Sequence, residues 1–296
     1  MYHCSSTSSL GWGFIRKSFL CVALLCCFCS AQGQELPVCR ALVFGLGEQA
    51  DKRWGTIHGD KDVWYVERML RNMGYTDIQT LKNRQATKQA MVNAFRQLAK
   101  RCRSGDRVYI HYSGHGQLMT DLDGDEAQKW NAQHAGWDES WIPYDAQMTY
   151  GKDDRGEKHL CDDEVARLLL NIRRRIGRHG TLIVVVDACH SGDATCGDVA
   201  DECVRGVDMK FNIPRTAERV QRRPVKEAWL TISACKPWQL STELKSPKVG
   251  KLTYALYLLG ASALQLDSQT LEQQLAQKMS PYRGRLPQDP MVTGHK

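Results

Sequence analysis

Short apolar runs alternate with segments of helical spacing along most of the chain. An apolar run bounded by turn residues indicates a buried strand, and apolar residues at every third or fourth position indicate a helix with one buried face. The runs that predict strands are residues 40–45, 75–81, 107–112, 181–186 and 228–233. The segments that predict helices are residues 63–73, 87–101, 165–176, 252–264 and 269–279.

This order predicts an α/β fold with an open, mostly parallel sheet and helices on both of its faces. The run at 181–186 is rich in β-branched residues and almost entirely apolar, so we expect both of its faces to be covered. In such sheets, ligands bind outside the carboxyl ends of the strands. The residues that follow each strand are therefore the first candidates for chemistry.

Two of the predicted strands are followed by a reactive side chain with glycine close by. His115 follows the strand at 107–112, and Cys189 follows the strand at 181–186. If these strands are neighbours, about 4.8 Å apart, the two side chains share one crevice. A nearby imidazole favours the nucleophilic thiolate and can return a proton to a leaving amine, while the N–H groups of Gly116 and Cys189 can hold an oxyanion. The pattern therefore predicts acyl transfer.

Both residues also have ordinary interpretations, since an isolated cysteine after a strand is usually a buried small side chain and an isolated histidine is usually exposed. Their joint position at two strand ends favours catalysis. His190 is the competing histidine. It adjoins Cys189 on an extended backbone, so its side chain should point away from the same site.

The motif HYSGHG at 111–116, followed by VVVDACHSG at 184–192, resembles the caspase-like cysteine peptidases and most closely their metacaspase branch. Further segments are similar to other landmarks of that family, in the family's order: DLDGDE at 121–126, GWDESWIPYD at 136–145, SACK at 233–236 with Gln239 and Glu243, LTYAL at 252–256, and QDPMVTG at 288–294. The resemblance covers residues 36–296 and implies a three-layer αβα sandwich with a mostly parallel central sheet.

The resemblance implies that His115 and Cys189 cleave peptide bonds, and that Asp187, Asp62 and Ser113 line the substrate pocket. An acidic pocket would bury unpaired carboxylates unless a cation entered it. We therefore expect protein or peptide substrates with Arg or Lys before the scissile bond. Two alternatives stay open: a clostripain- or gingipain-like peptidase that shares the two catalytic residues, and a non-catalytic binding module that retains the fold.

The stretch at 193–223 is long, polar and rich in basic residues. Loops of this length are usually functional or disordered. Because it follows the nucleophile and carries the residue type that the pocket prefers, we expect the enzyme to cut itself within this loop.

The alternating carboxylates at 121–126 suggest calcium as an activator, although the chemistry itself needs no cofactor. The full EF-hand spacing is missing and a solvated acidic loop is the alternative, so no metal ligand is assigned. The net charge of +7 is scattered in short clusters and gives little support to nucleic-acid binding.

The first 33 residues predict a secretory signal peptide rather than part of the fold. A basic pair at 16–17 precedes an apolar run at 19–29 and then small residues up to Gly33. The run is shorter than the roughly 20 residues that span a bilayer, so we expect cleavage and no stable membrane anchor. The peptidase domain would then be residues 34–296, exported through a bacterial inner membrane to the periplasm or the medium.

Seven of the 12 cysteines follow residue 33. In an oxidising compartment, an odd number predicts disulfide pairs and one thiol kept free. Cys39 and Cys102 lie at the same end of neighbouring predicted strands and are the expected bridge. Cys196 and Cys203 could pair within the long loop.

Overall fold

Nine strands and five α-helices lie in residues 36–128, 136–189, 202–214 and 225–295, the ranges described by the structure, which is a computed structural model. The strands are β1 (Cys39–Gly45), β2 (Asp77–Lys82), β3 (Arg107–Ser113), β4 (Gly116–Thr120), β5 (Trp137–Trp141), β6 (Leu160–Cys161), β7 (Thr181–Asp187), β8 (Leu230–Ser233) and β9 (Met291–Gly294). The helices are α1 (Gly59–Asn72), α2 (Lys88–Arg101), α3 (Asp162–Ile176), α4 (Lys251–Leu259) and α5 (Ser268–Met279).

The central sheet has six strands in the order β2-β1-β3-β7-β8-β9. The first five are the strands predicted from apolar runs, and all of their pairings are parallel. The strand β9 was not predicted, and it adds antiparallel to β8 at the edge. The mostly parallel sheet that the sequence predicts is therefore confirmed.

Helices cover both faces of this sheet and produce three layers. Side chains alternate along β1, so that Leu42 and Phe44 enter one core while Ala41 and Val43 enter the other. The first core is closed by α2 and α3, and the second by α1, α4 and α5. Such two-sided burial explains why these strands have nearly continuous apolar sequences.

Two helix ends follow local signals. Thr87 caps α2 by accepting a hydrogen bond from the backbone N–H of Ala90 at 3.3 Å. The helix predicted over 252–264 is shorter in the structure, because α4 ends at Gly260, which has a φ of +57°. A positive φ is easily adopted only by glycine, so the chain leaves the α-helix there and continues as a short 3₁₀ turn.

A second, smaller sheet was not predicted from the sequence. It is antiparallel, with the order β4-β5-β6. Because β4 begins at Gly116, immediately after His115, this sheet carries the chain away from the carboxyl end of β3. One acidic segment directly follows β4 of this sheet, and further acidic residues lie within β5.

The predicted bridge between Cys39 and Cys102 is wrong, since both are free thiols. Cys102 is buried in the core that α2 and α3 close, whereas Cys39 packs against the opposite core. The two side chains thus belong to opposite faces of the sheet. Cys196, the suggested partner of Cys203, and the predicted signal peptide lie outside the described residues, among which no helix is long and apolar enough to cross a bilayer.

Candidate active site

Strands β3 and β7 are hydrogen-bonded neighbours, and their ends place the predicted histidine and cysteine together. Ser113, the last residue of β3, is in register with Asp187, the last residue of β7. His115 and Cys189 each follow two residues later, and both are buried, with 0% and 1% exposure. His190, the competing histidine, lies outside the described residues.

The imidazole of His115 is held in one orientation. Its Nε2 lies 2.7 Å from the backbone oxygen of Gly55. A carbonyl oxygen only accepts, so Nε2 carries the proton and Nδ1 carries the lone pair. Nδ1 is buried and has no hydrogen-bond partner among the described residues. Burial lowers the pKa of His115 to about 4, which leaves the ring neutral and able to accept a proton at pH 7.

The two N–H groups predicted to hold an oxyanion point to one carbonyl oxygen. The backbone nitrogens of Gly116 and Cys189 donate to the oxygen of Arg205 at 3.2 and 3.1 Å. The next residue, Gly206, lies against the nucleophile. A Cβ at this position would come within 2.5 Å of Cys189 Sγ and 2.8 Å of the Cys189 carbonyl oxygen. Only glycine lets the chain pass this close.

Three carboxylates enclose the guanidinium of Arg205, which is fully buried. Asp62 accepts from Nη1 at 2.6 Å and from Nη2 at 3.1 Å. Glu243 accepts from Nε at 3.1 Å and pairs with Nη2 at 2.9 Å. The carboxylate of Asp187 lies 3.5 Å from Nη1. Burial opposes the charge on Arg205, but the carboxylates hold its pKa well above the ordinary value. The pocket is therefore built for a cation.

Neighbouring groups hold these carboxylates in place. The hydroxyl of Ser241 donates to Asp187 at 3.0 Å, and the backbone N–H and hydroxyl of Thr253 donate to the same carboxylate at 2.9 and 2.7 Å. The backbone N–H of Gly250 donates to Asp62 at 3.0 Å. Asp187 and Asp62 thus keep hydrogen bonds that do not depend on Arg205. These bonds hold both carboxylates in position for another cation.

The structure separates the predicted pocket residues into two groups. Asp62 and Asp187 contact the guanidinium, whereas Ser113 contacts His111. Its hydroxyl lies 2.8 Å from Nε2 of His111, a fully buried histidine whose pKa burial lowers to about 4. The same nitrogen lies 3.3 Å from the Thr253 hydroxyl, which donates to Asp187, so Ser113 is linked to the pocket through His111 and Thr253.

Two residues that matter here were not assigned a role from the sequence. Glu243 was noted only as a landmark of the resemblance around SACK. Its acidic side chain was the signal that could have made it a candidate for the pocket. Arg205 was one of several basic residues in the long loop. Its neighbour Gly206 was the available signal, because a glycine beside a basic residue suits a close approach to a nucleophile.

A separate acidic cluster lies at the small sheet. Carboxylate oxygens of Asp121, Asp123 and Asp125 all lie within 4.8 Å of one another, and those of Asp125, Glu126 and Asp138 do likewise. Asp138 is 4% exposed, and its Oδ1 has no hydrogen-bond partner among the described residues. Burial and the neighbouring carboxylates raise the pKa of Asp138 to about 9. An oxygen-only donor set with an unpartnered buried carboxylate fits calcium.

Comparison with solved structures shows the fold. A protein of Geobacter sulfurreducens superposes with a TM-score of 0.58 at 22% identity, covering 88% of this chain and 95% of its own. Caspase-1 from Spodoptera frugiperda superposes with a TM-score of 0.56 at 14% identity, covering 87% of this chain and 86% of its own. The protein therefore has the caspase-like α/β fold that the resemblance implied.

Sequence comparison identifies the family. Metacaspase-1 of Meyerozyma guilliermondii is 34% identical over 119 residues, 40% of this chain and 25% of that protein. Metacaspase-1A of Aspergillus terreus is 34% identical over 165 residues, 52% of this chain and 36% of that protein. The matched region thus spans only a quarter to about a third of these relatives. The family model of the metacaspase peptidase C14 domain matches residues 40–196, more than half of the chain. The chain therefore belongs to the metacaspase family of caspase-like peptidases.

Proposed function

We propose that this protein is a cysteine endopeptidase that hydrolyses peptide bonds after Arg or Lys. One observation carries the proposal. The side chain of Arg205 lies in an acidic pocket, while its carbonyl oxygen accepts from the N–H groups of Gly116 and Cys189. A basic residue is thus held at both its side chain and its carbonyl group, as a peptidase must hold the residue before the bond it cleaves.

In the proposed reaction, His115 Nδ1 accepts the thiol proton of Cys189, and the thiolate attacks the carbonyl carbon of the substrate. The N–H groups of Gly116 and Cys189 stabilise the oxyanion that forms. His115 then donates the proton to the departing amine, leaving a thioester on Cys189. Water hydrolyses the thioester, releases the new carboxylate and regenerates the thiol.

The pocket chemistry favours arginine over lysine. Glu243 accepts from Nε of the guanidinium, and Asp62 binds its two terminal nitrogens. Lysine has one ammonium group and no counterpart of Nε, so it cannot offer both carboxylates the fixed planar set of N–H donors that a guanidinium has. Arginine substrates should therefore have the larger kcat/KM.

Cleavage of a mixed peptide library tests this function. The wild-type chain and the C189A variant are incubated with the library, with and without calcium, and the new termini are identified by mass spectrometry. We expect cuts after Arg, with fewer after Lys, that disappear with C189A. Cuts after Asp would contradict the acidic pocket, and no cleavage by the wild type under any condition would favour the non-catalytic binding module.

We further propose that calcium activates the enzyme from the acidic cluster of Asp121, Asp123, Asp125, Glu126 and Asp138. The unpartnered Oδ1 of the buried Asp138 supports this assignment. A divalent cation there would balance carboxylates on the segments that follow β4 and begin β5, and so hold the small sheet in one arrangement.

Export through a signal peptide is also part of the proposal. It rests on the basic pair, apolar run and small residues of the first 33 positions. Expression of the full chain in a bacterium, followed by fractionation and N-terminal sequencing, tests it. A periplasmic or secreted product that begins at Gln34 is expected, and an uncleaved cytoplasmic chain would contradict the proposal.

A further inference from the structure

Three potential metal ligands meet at the rim of the substrate pocket. Side-chain ligand atoms of His58, Cys203 and Glu243 all lie within 4.8 Å of one another. They come from three separate parts of the chain: the residue before α1, the segment that carries Arg205, and the loop between β8 and α4. Nitrogen, sulfur and carboxylate oxygen at this spacing form the kind of ligand set that binds Zn²⁺.

Backbone contacts hold these three residues together without a metal. The N–H of His58 donates to Glu243 Oε1 at 2.7 Å, and the N–H of Glu243 donates to the Cys203 oxygen at 3.1 Å. Val204 and Thr242, each next to one of the ligands, form an antiparallel bridge. Ligands whose positions are already fixed lose little conformational freedom when a metal binds. The site is therefore largely preformed.

The two carboxylate oxygens of Glu243 face different partners. Oε1 accepts from Nε of Arg205 at 3.1 Å and pairs with Nη2 at 2.9 Å. Oε2 lies 2.6 Å from Nδ1 of His58. A metal ion that binds Oε2 therefore leaves Oε1 to the guanidinium. The side chain of His58 is 22% exposed, whereas that of Glu243 is 1% exposed, so an ion can approach from solvent on the histidine side.

We propose that His58, Cys203 and Glu243 bind Zn²⁺, and that the bound ion opposes the entry of arginyl substrates. Zn²⁺ takes the place of the Cys203 thiol proton and of the proton between His58 and Glu243. Three protein ligands leave the fourth position of a tetrahedral zinc ion to water. The binding of zinc does not depend on the proposed peptidase function, but its effect on substrates does.

Two consequences of the bound ion act against a substrate. The ion ties Cys203 to its two partners across the rim. The carbonyl oxygen two residues further on then stays on the N–H groups of Gly116 and Cys189, which a substrate carbonyl also needs. In addition, a dication beside Glu243 offsets part of the negative charge that attracts a substrate guanidinium. Zinc and an arginyl substrate should therefore compete.

Metal binding to C189A, in which the catalytic thiol cannot take part, tests the site. With a reductant present, Co²⁺ should give the charge-transfer absorption of a thiolate ligand, and calorimetry should give the Kd for Zn²⁺. Adding C203S should abolish the absorption, and adding H58Q should raise the Kd by about tenfold or more. The matched controls are C39S and H179Q, at the amino ends of β1 and β7 and away from the pocket, and they should change neither. Unchanged absorption with C203S, or an unchanged Kd with H58Q, would overturn the inference.

Cleavage of an arginyl reporter peptide tests the effect on substrates. R205A leaves no guanidinium of the chain itself in the pocket, so its rate reports on the substrate alone. Saturating Zn²⁺ should lower the kcat/KM of R205A by about tenfold or more, and adding C203S should abolish this loss. A loss that persists with C203S would place the inhibiting ion elsewhere, such as at Cys189, and would overturn the inference. No cleavage by R205A without zinc would contradict the peptidase function, while the Co²⁺ absorption of C189A would still decide the metal site.

Discussion

Two regions of the molecule gather carboxylates, and they differ in what balances them. In the substrate pocket, Asp62, Asp187 and Glu243 surround the guanidinium of Arg205. Burial alone would raise the pKa of Glu243, but Arg205 and His58 bring it below the ordinary value. At the acidic cluster, burial and neighbouring carboxylates raise the pKa of Asp138 to about 9.

The difference shows how one fold prepares two sites for two kinds of cation. The pocket carboxylates are arranged around a planar fork, which matches the donors of arginine. The cluster contains two groups of three carboxylates that share Asp125, and within each group the oxygens lie within 4.8 Å of one another, which suits a spherical ion. The first region obtains its cation from the chain itself, whereas our proposal is that the second takes one from solution.

Loss of a pocket carboxylate should have the largest effect. Asp187→Asn leaves the substrate guanidinium short of one partner, and removing one member of a buried charge pair costs about 3–5 kcal/mol. The kcat/KM for an arginyl peptide should fall by about 10²–10⁴-fold. Asp153→Asn is the control, because Asp153 is exposed and should leave kcat/KM unchanged. A loss below threefold for Asp187→Asn would break the pocket assignment.

Glu243 should set the preference for arginine over lysine. Glu243→Gln weakens the interaction with Nε, a donor that only arginine has, so kcat/KM should fall about tenfold more for arginyl than for lysyl peptides. Steady-state kinetics on a matched peptide pair measures the ratio. Glu48→Gln alters only a surface pair with Lys52 and should not change it. An equal loss of kcat/KM for both peptides would mean that Glu243 holds its surroundings in position but does not distinguish arginine from lysine.

Calcium should stabilise the fold through the cluster. At 100 times its Kd, a ligand that binds only the folded state contributes about 2.7 kcal/mol. For a domain of this size, that corresponds to a rise in Tm of about 5 °C or more. The shift should occur in C189A, which cannot cut itself, and disappear when Asp138→Asn is added. A shift that survives Asp138→Asn would place the ion elsewhere.

Two of the buried histidines, His111 and His115, should make the fold sensitive to mild acid. The pKa values of His111 and His115 are both about 4 in the folded protein, below the value of about 6.5 for an unfolded chain. The unfolded chain therefore binds more protons between these values, and stability should fall as the pH drops from 6.5 to 4. His111→Gln should reduce this loss of Tm, whereas His179→Gln, at an exposed site, should not. An unchanged profile for His111→Gln would contradict the assigned burial.

The parallel part of the sheet could be predicted because its signal is local. Burial on both faces gives β1, β3 and β7 short runs of mostly apolar residues, and this pattern is visible in a few positions. Strands β4 to β6 and β9 were not predicted, because they are short and depend on partners that are distant in sequence. The Cys39–Cys102 bridge failed for a related reason. The face that each thiol occupies is decided by packing against one core or the other, which spacing does not show.

The residues of the candidate site also divide into those that local sequence predicts and those that it does not. His115 and Cys189 could be predicted because each follows directly from a recognisable strand, and Asp187 because it belongs to the same motif. The position of Arg205 could not, because its side chain meets Asp62 across 143 residues and Glu243 across 38. In the long loop with several basic residues, the one local signal is that Arg205 precedes a glycine, and this signal alone does not show that its side chain enters the pocket.

Covalent labelling of the nucleophile tests the central claim most directly. R205A is treated with a peptide that ends in an arginine chloromethyl ketone, which alkylates the active-site thiol with loss of chloride, and the thioether adduct is located by peptide mapping. The account predicts saturable labelling at Cys189, competed by arginyl peptides and absent when Asp187→Asn is added. An aspartyl chloromethyl ketone of the same length should not label. Equal labelling by both reagents, or labelling at another cysteine, would contradict a peptidase site in which Cys189 acts beside a pocket for arginine.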